Sequence, residues 1–135
     1  MGVKLVWYLE QRIIFTYVWG DFTITELREG AAQGAKYVQM GTAPVHDIID
    51  MREMERYPFN LKEIIDATPI FREPNLGWVV LLSNNRAVNF IATIVLQFSS
   101  AKLRIASNEN EALDFLRGAD GTLPDPLPPF VLPSR

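Results

Sequence analysis

The sequence contains no cysteine among its 135 residues, and it has only one histidine. Without cysteine there can be no disulfide bond, no thiolate nucleophile and no cysteine-ligated metal centre. The single histidine, His46, lies in an apolar run typical of a β-strand. It therefore gives no basis for a Ser-His-Asp triad.

The sequence also lacks an excess of positive charge. Its 13 lysines and arginines are outnumbered by 16 aspartates and glutamates, which gives a net charge of −3 and a pI near 5.1. A nucleic-acid-binding protein needs a basic face to neutralise phosphates, and here the basic residues are scattered along the chain. We predict no nucleic-acid partner.

Long hydrophobic runs are missing as well. The longest, AVNFIATIVLQF at residues 87–98, is interrupted by Asn89 and is too short to span a bilayer. The opening MGVKLVWYLEQR lacks the apolar core and small-residue cleavage site of a signal peptide. These features predict no membrane span and a cytoplasmic location.

What the sequence does contain is an alternation of strand-like runs and capped helical segments. VKLVWYLE and RIIFTYVWG predict an antiparallel hairpin, and PVHDIID, GWVVLLS and KLRIAS predict three further strands. The helical segments follow the capping residues Thr23, Asn60, Asn85 and Asn108. The predicted order is β-β-α-β-α-β-α-β-α, in one small α/β domain with a five-stranded, mixed but mostly parallel sheet.

The C-terminal residues differ in composition from the rest. We expect an α/β domain over residues 1–118 and a proline-rich tail over residues 119–135, which holds five of the nine prolines. Apolar residues recur in the tail at Leu123, Leu127, Phe130, Val131 and Leu132. The tail is therefore expected to lie along a surface of its own domain or of a neighbouring subunit, with a loosely attached end as the alternative.

Three segments, together with the order of elements, carry a family resemblance. APVHDIID, PNLGWVVLLSNNRAVNFIATIV and KLRIASNENEALDFL resemble the STAS-like superfamily of anti-sigma-factor antagonists and their SpoIIAA-like relatives. The resemblance implies a non-enzymatic regulatory or protein-interaction domain. In the antagonists, the loop after the third strand carries a serine or threonine that a partner kinase phosphorylates.

That junction reads DMREMERYPFNLKE here and contains no serine, threonine or glycine. The phosphorylation switch therefore does not carry over. The same loop remains a candidate partner surface, with these residues: Asp50, Met51, Arg52, Glu53 and Asn60.

Two polar groups could carry other chemistry. His46 and Asp50 share one face of their strand, but one imidazole and one carboxylate make an incomplete zinc set, so we predict no metal and no cofactor. A candidate anion or ligand site follows the central strand and comprises Ser83, Asn84, Asn85 and Arg86. Asn85 is explained equally well as a helix cap.

The helix that starts at Arg86 and runs to about Ser100 is apolar on almost every side. Such a helix is buried on more than one side, so a second copy of the chain or the tail is expected to cover it. The candidates for a homodimer contact are Val88, Ile91, Val95, Phe98 and, from the tail, Phe130.

Three hypotheses follow from these observations. The first is a binding domain that acts as a homodimer and offers the loop after the third strand to a protein partner. The second is a small-molecule or lipid-binding domain, with an apolar pocket lined by Trp7, Trp19, Trp78 and Phe90. The third, ranked last, is an enzyme that uses Asp50 or Glu53 near Arg86.

Overall fold

The structure is a computed structural model that describes residues 2–129. Its strands are β1 (Gly2–Leu9), β2 (Ile13–Asp21), β3 (Val45–Arg56), β4 (Leu76–Leu82) and β5 (Lys102–Ala106). Its helices are α1 (Ile24–Met40), α2 (Leu61–Ala67), α3 (Arg86–Gln97) and α4 (Glu109–Ala119), with a short 3₁₀ turn at Pro69–Arg72. The predicted α/β fold and order of elements are confirmed.

The five strands form one sheet in the order β1-β2-β3-β4-β5. Only β1 and β2 pair antiparallel, and the remaining neighbours pair parallel. Since each parallel strand is added on the same side of the one before, right-handed crossovers place α1, α2 and α3 on one face of the sheet. We call it the helical face; its core includes Val18, Val38, Ile64, Val79 and Val95.

The opposite face packs against α4 and the segment that follows it. Its core contains Phe15, Ile48 and Leu82 from the strands and Leu116 from α4. Leu123 and Leu127 belong to the same cluster and are 8% and 9% exposed. The C-terminal segment, as far as Leu127, therefore lies on its own domain, on the face away from α3.

The turn between β1 and β2 places Gln11 in a left-handed backbone conformation, with φ of 67°. Glycine or asparagine usually takes such a position, and Gln11 is neither. The backbone compensates: Arg12 N–H donates to the Leu9 carbonyl at 3.0 Å, and Thr42 N–H donates to the Gln11 carbonyl at 2.9 Å.

Two element boundaries differ from the sequence expectation. β3 continues through MREMER to Arg56, where an irregular loop was expected, because β2 continues beside it as far as the pair Asp21↔Arg56. α3 ends at Gln97, not near Ser100. The loop between β3 and α2 is therefore only residues 57–60.

Candidate functional site

A groove at the carboxyl ends of β3 and β4 brings together parts of both polar candidate sites. It has a volume of about 300 Å³ and is lined by Met51, Arg52, Met54, Ser83, Asn84, Asn85 and Val88. In parallel sheets such edges commonly bind ligands. Arg86 and Asn60 are not among the residues that line it.

Asp50 and Arg52 form a bidentate ion pair beside this groove. Asp50 is 2% exposed, and its two carboxylate oxygens accept hydrogen bonds from Arg52 Nε and Nη2, each at 2.9 Å. Glu109, at the start of α4, lies 3.0 Å from the same guanidinium. The hydrogen bond to Asp50 raises the pKa of Arg52. The contact of Arg52 with Glu109 joins β3 to α4, and its pair with Asp50 engages the carboxylate that the enzyme hypothesis needed as a base.

Glu53, the other carboxylate of that hypothesis, accepts a hydrogen bond from the Tyr17 hydroxyl on β2. Its Cα pairs with Trp19 in the ladder between β2 and β3. This places Glu53 in the body of the sheet and not in a mobile loop.

The segment before α3 is already satisfied as a helix cap. Asn85 Oδ1 accepts from Ala87 N–H at 2.9 Å and from Val88 N–H at 3.2 Å, and Ser83 Oγ accepts from Asn85 N–H at 3.2 Å. These bonds engage the first backbone donors of the helix, which an anion would otherwise use. The capping interpretation of Asn85 therefore accounts for the geometry better than an anion site does.

Asn60 lines a second groove, of about 540 Å³, between the starts of α1 and α2. Its Oδ1 accepts from Glu63 N–H at 3.1 Å, so it too serves as a cap. The adjacent Phe59 is 79% exposed, the most exposed of the large apolar side chains from residues 2–129. Sequence reasoning missed Phe59, although a phenylalanine directly before an N-cap in a short loop has no element of its own to pack against.

The dimer candidates on α3 divide between its two sides. Val88 and Val95 point toward the sheet and are 6% and 3% exposed, whereas Phe98 is 63% exposed. Ile91 is half-buried against the helical-face core, and Phe130 lies outside the described residues. Phe90, which the sequence analysis assigned to a pocket, is 66% exposed. The side of α3 that faces away from the sheet carries Ala87, Phe90 and Ile94 and continues to the C-cap residue Phe98; we call these four residues the outward stripe of α3.

An apolar cavity of about 90 Å³ lies between the sheet and helices α2 and α3. Its walls include Ile49, Val79, Leu81, Val88 and Val95. An adjoining cavity of about 50 Å³ lies below α1 and is bordered by Thr16 and Asp47. Both are smaller than the cavity of about 150 Å³ that binds benzene in an engineered core.

None of the four aromatic residues expected to form a pocket lines either cavity. Trp7 stacks on Tyr37 at 5.1 Å, and Trp78 meets the Phe115 ring edge-on at 4.7 Å, below Lys102. Trp19 packs against Tyr17. The aromatic pocket of the second hypothesis is therefore not formed by these residues.

His46 and Asp47 are neighbours on β3 that point to opposite faces of the sheet. His46 is 1% exposed; its Nδ1 accepts from Trp78 N–H at 2.9 Å, and its Nε2 donates to Asp120 Oδ2 at 2.8 Å. Burial lowers the pKa of His46 and outweighs the opposing effect of Asp120. Both ring nitrogens are engaged, so this histidine is a structural link between β3, β4 and the C-terminal segment.

Asp47 is 2% exposed on the helical face and accepts a hydrogen bond from Thr16 Oγ1 at 2.9 Å. Burial raises its pKa to about 7, and the Thr16 hydroxyl only partly offsets this. No cation neutralises this carboxyl in the contacts of the described chain. Within residues 2–129, moreover, no three histidine, aspartate or glutamate side chains gather into a metal-binding group.

Comparison with known proteins gives the class of fold. No protein-family model matches the sequence, and no curated protein matches it. An uncharacterised protein of the DUF3478 family with a SpoIIAA-like fold, from Shewanella loihica PV-4, is similar in structure with a TM-score of 0.61 at 10% identity; the match covers 85% of this chain and 92% of that one.

The anti-sigma factor antagonist SpoIIAA in its unphosphorylated form is similar as well. Its TM-score is 0.56 at 12% identity, and the match covers 87% of this chain and 97% of SpoIIAA. The chain therefore has the SpoIIAA-like, or STAS-like, fold that its sequence resembled. Among residues 2–129, no helix has the length and apolar character needed to cross a bilayer.

Proposed function

We propose that this chain is a regulatory protein-interaction domain that acts by binding and forms a homodimer through the outward stripe of α3. The observation that carries the proposal is the exposure of two phenylalanines on one stripe, Phe90 at 66% and Phe98 at 63%. The SpoIIAA-like fold supports an interaction role, because the solved relative with that name is an anti-sigma factor antagonist.

The geometry of α3 suits a two-fold contact. Phe90, Ile94 and Phe98 are spaced four residues apart and therefore line one side of the helix, over about 12 Å. A two-fold axis through this stripe would bring four phenylalanine rings together, each worth about 1.5–3 kcal/mol when fully buried. The four rings together contribute at most about 12 kcal/mol, and association itself costs about 4–15 kcal/mol, so we expect a weak dimer with micromolar affinity at best.

A separate partner surface is proposed at the end of β3, where Phe59 stands out from residues 57–60. Its exposure, beside the half-buried Tyr57 and Pro58, offers an apolar anchor for a protein partner. No residue from Asp50 to Asn60 is a serine or threonine. Partner binding at this loop would therefore be independent of a serine or threonine phosphorylation switch.

Sedimentation velocity over a concentration series tests the homodimer. Wild type should shift toward dimer at tens to hundreds of micromolar, and Phe90→Glu with Phe98→Glu should remain monomeric with an unchanged circular-dichroism spectrum. Ala32→Glu with Gln33→Glu on α1 adds the same charge at exposed positions and should dimerise like wild type. Phe59→Ser should dimerise as well, since its surface is separate. A wild type that stays monomeric at high micromolar concentration would contradict the proposal.

A second candidate function, supported by the cavity below α2 and α3, is the binding of a small apolar molecule. The cavity volume of about 90 Å³ restricts a ligand to roughly benzene size or less, unless the helices move. Methyl NMR resonances from Val79 and Leu81 should then shift when benzene or xenon is added. Unchanged resonances with both benzene and the smaller xenon at saturation would remove this candidate.

A further inference from the structure

Residues 120–129, here called the strap, leave α4 and cross the sheet on the face opposite α3. Four of its ten residues are prolines. Leu123 and Leu127 are buried in the core of this face, whereas Pro124, Asp125 and Pro126 between them are exposed. The strap is therefore an irregular segment of turns and bends that inserts two leucines, spaced four residues apart, into one side of the sheet.

One end of the strap is fixed by a buried polar latch. Asp120 Oδ2 accepts from His46 Nε2 at 2.8 Å and from Arg12 Nη2 at 2.9 Å. Arg12 Nη2 also donates to Thr122 Oγ1 at 2.9 Å. Burial would raise the pKa of Asp120, but hydrogen bonds from Thr122 and His46 lower it to about 2, so the carboxylate is charged at neutral pH.

Beyond the latch, polar attachment is slight. The Tyr8 hydroxyl donates to the Pro128 carbonyl, and Arg117 lies 3.8 Å from Asp125. The sheet consists of β1 to β5, and no strap residue pairs with any of them in the described chain. Apart from the latch and the two buried leucines, the strap has no ladder hydrogen bonds to hold it in the described chain. Segments without such bonds open more readily than strands do, so we expect the strap to be able to leave while the domain stays folded.

We propose that the seat of the strap is an exchangeable binding groove, which takes a proline-containing segment with two leucines four residues apart, supplied in trans by a second copy of this chain. The occupant is defined by what is seated there now: the chain's own segment of that composition. The latch decides between the two states, since it holds the strap in cis and releases the groove when Asp120 is uncoupled from His46 and Arg12.

This groove is distinct from the proposed dimer stripe. It is formed by Ile13, Phe15 and their neighbours on the face that packs with α4, whereas α3 covers the other face. Exchange of straps would link two copies without using Phe90 or Phe98. A failure of one proposal therefore leaves the other standing.

The test uses the full chain and a synthetic peptide of residues 120–129, DGTLPDPLPP, observed by NMR on ¹⁵N-labelled protein. In wild type the strap in cis should block the peptide. In Asp120→Asn the strap resonances should gain mobility, and the peptide should shift the amides of Ile13 and Phe15 with at least tenfold higher affinity than for wild type. A control peptide with both leucines replaced by serine should cause no shift.

Two results would overturn the proposal: a strap that stays as rigid in Asp120→Asn as in wild type, or a released strap whose groove does not take the peptide. If Asp120→Asn does not fold, Leu123→Ser with Leu127→Ser supplies the second test, because it empties the groove and keeps the latch residues. That variant must bind the wild-type peptide more tightly than the wild-type chain does. Equal or weaker binding would refute the exchange.

Discussion

Substituting Asp47 by asparagine should stabilise this protein at neutral and alkaline pH. The side chain lies under α1 on β3, 2% exposed, with the Thr16 hydroxyl as its hydrogen-bond donor. Asparagine has nearly the shape of the protonated acid, and its amide oxygen can accept the same hydrogen bond. The substitution therefore removes a charge that burial opposes and retains the packing.

The magnitude follows from the pKa of Asp47, which is raised from 3.8 to about 7 in the folded state. Its folded pKa exceeds its unfolded value, so the folded state holds a proton that the unfolded state releases, and stability falls as pH rises from about 4 to about 7. A shift of roughly three units at 1.36 kcal/mol per unit gives about 4 kcal/mol. We expect the variant to gain up to that amount at pH 8 and nothing at pH 4.

The assay is urea unfolding of wild type and Asp47→Asn at pH 4, 6 and 8, followed by tryptophan fluorescence. Asp50→Asn is the matched control, because Asp50 lies on the same strand and is equally buried but is paired with Arg52. Removing that paired charge should destabilise the protein at pH 8 by about 1–3 kcal/mol, which is the opposite sign. An Asp47→Asn protein that is no more stable than wild type at pH 8 would refute the reasoning.

Three further predictions concern stability. Gln11→Gly should raise the free energy of unfolding by about 0.5–1 kcal/mol in chemical denaturation, because it relieves a left-handed φ of 67°. Gly77→Ala should lower the free energy of unfolding by about 1–3 kcal/mol, because a Cβ would lie 2.7 Å from Nδ1 of the buried His46 ring. Gly118→Ala in α4 is the control, because its Cβ would meet no atom within 4 Å and should not destabilise the protein. Equal Tm values for the two alanine variants would contradict this prediction. The pKa of His46 is lowered in the folded state, so its stabilising contribution is complete above pH 6.5 and is lost as the pH falls below that value. In an Asp47→Asn background, the free energy of unfolding should therefore decrease from pH 7 to pH 5. A flat profile would contradict a buried, neutral His46.

Local signals predicted most of the fold. Strand periodicity and helix caps are properties of short segments, and the caps expected at Thr23, Asn60, Asn85 and Asn108 all accept backbone N–H bonds in the structure. Strict alternation of strands and helices then leaves few topologies, because parallel crossovers are right-handed. The extension of β3 to Arg56 was missed, since a charged MREMER segment forms a strand only because β2 continues beside it.

The surface of α3 could not be assigned from sequence for a different reason. Apolar residues occur on almost every side of this helix, so periodicity alone does not separate the buried Val88 and Val95 from the exposed Phe90 and Phe98. Only the position of the helix over β4 and β5 decides which side faces the core.

The contact between His46 and Asp120 could not be predicted from the sequence either. His46 and Asp120 are 74 residues apart, and neither stands in a motif that points to the other. They meet because the segment that follows α4 packs on the face of the sheet that carries His46. The other ring nitrogen, Nδ1, accepts the backbone N–H of Trp78 where the register of β3 and β4 shifts between Val45 and Asp47. A contact of this kind depends on tertiary geometry and leaves no local signature.

Pulsed electron–electron double resonance, which measures the distance between two spin labels, tests the homodimer through α3 most directly. The chain has no cysteine, so Ser100→Cys, exposed just beyond α3, takes a single nitroxide label. We expect one well-defined distance between the labels of the two copies. It should be below about 40 Å, because the 12-residue helix is only about 18 Å long. This distance should disappear in the Phe90→Glu and Phe98→Glu background. Absence of dipolar coupling in the labelled protein at high micromolar concentration would contradict the proposed assembly.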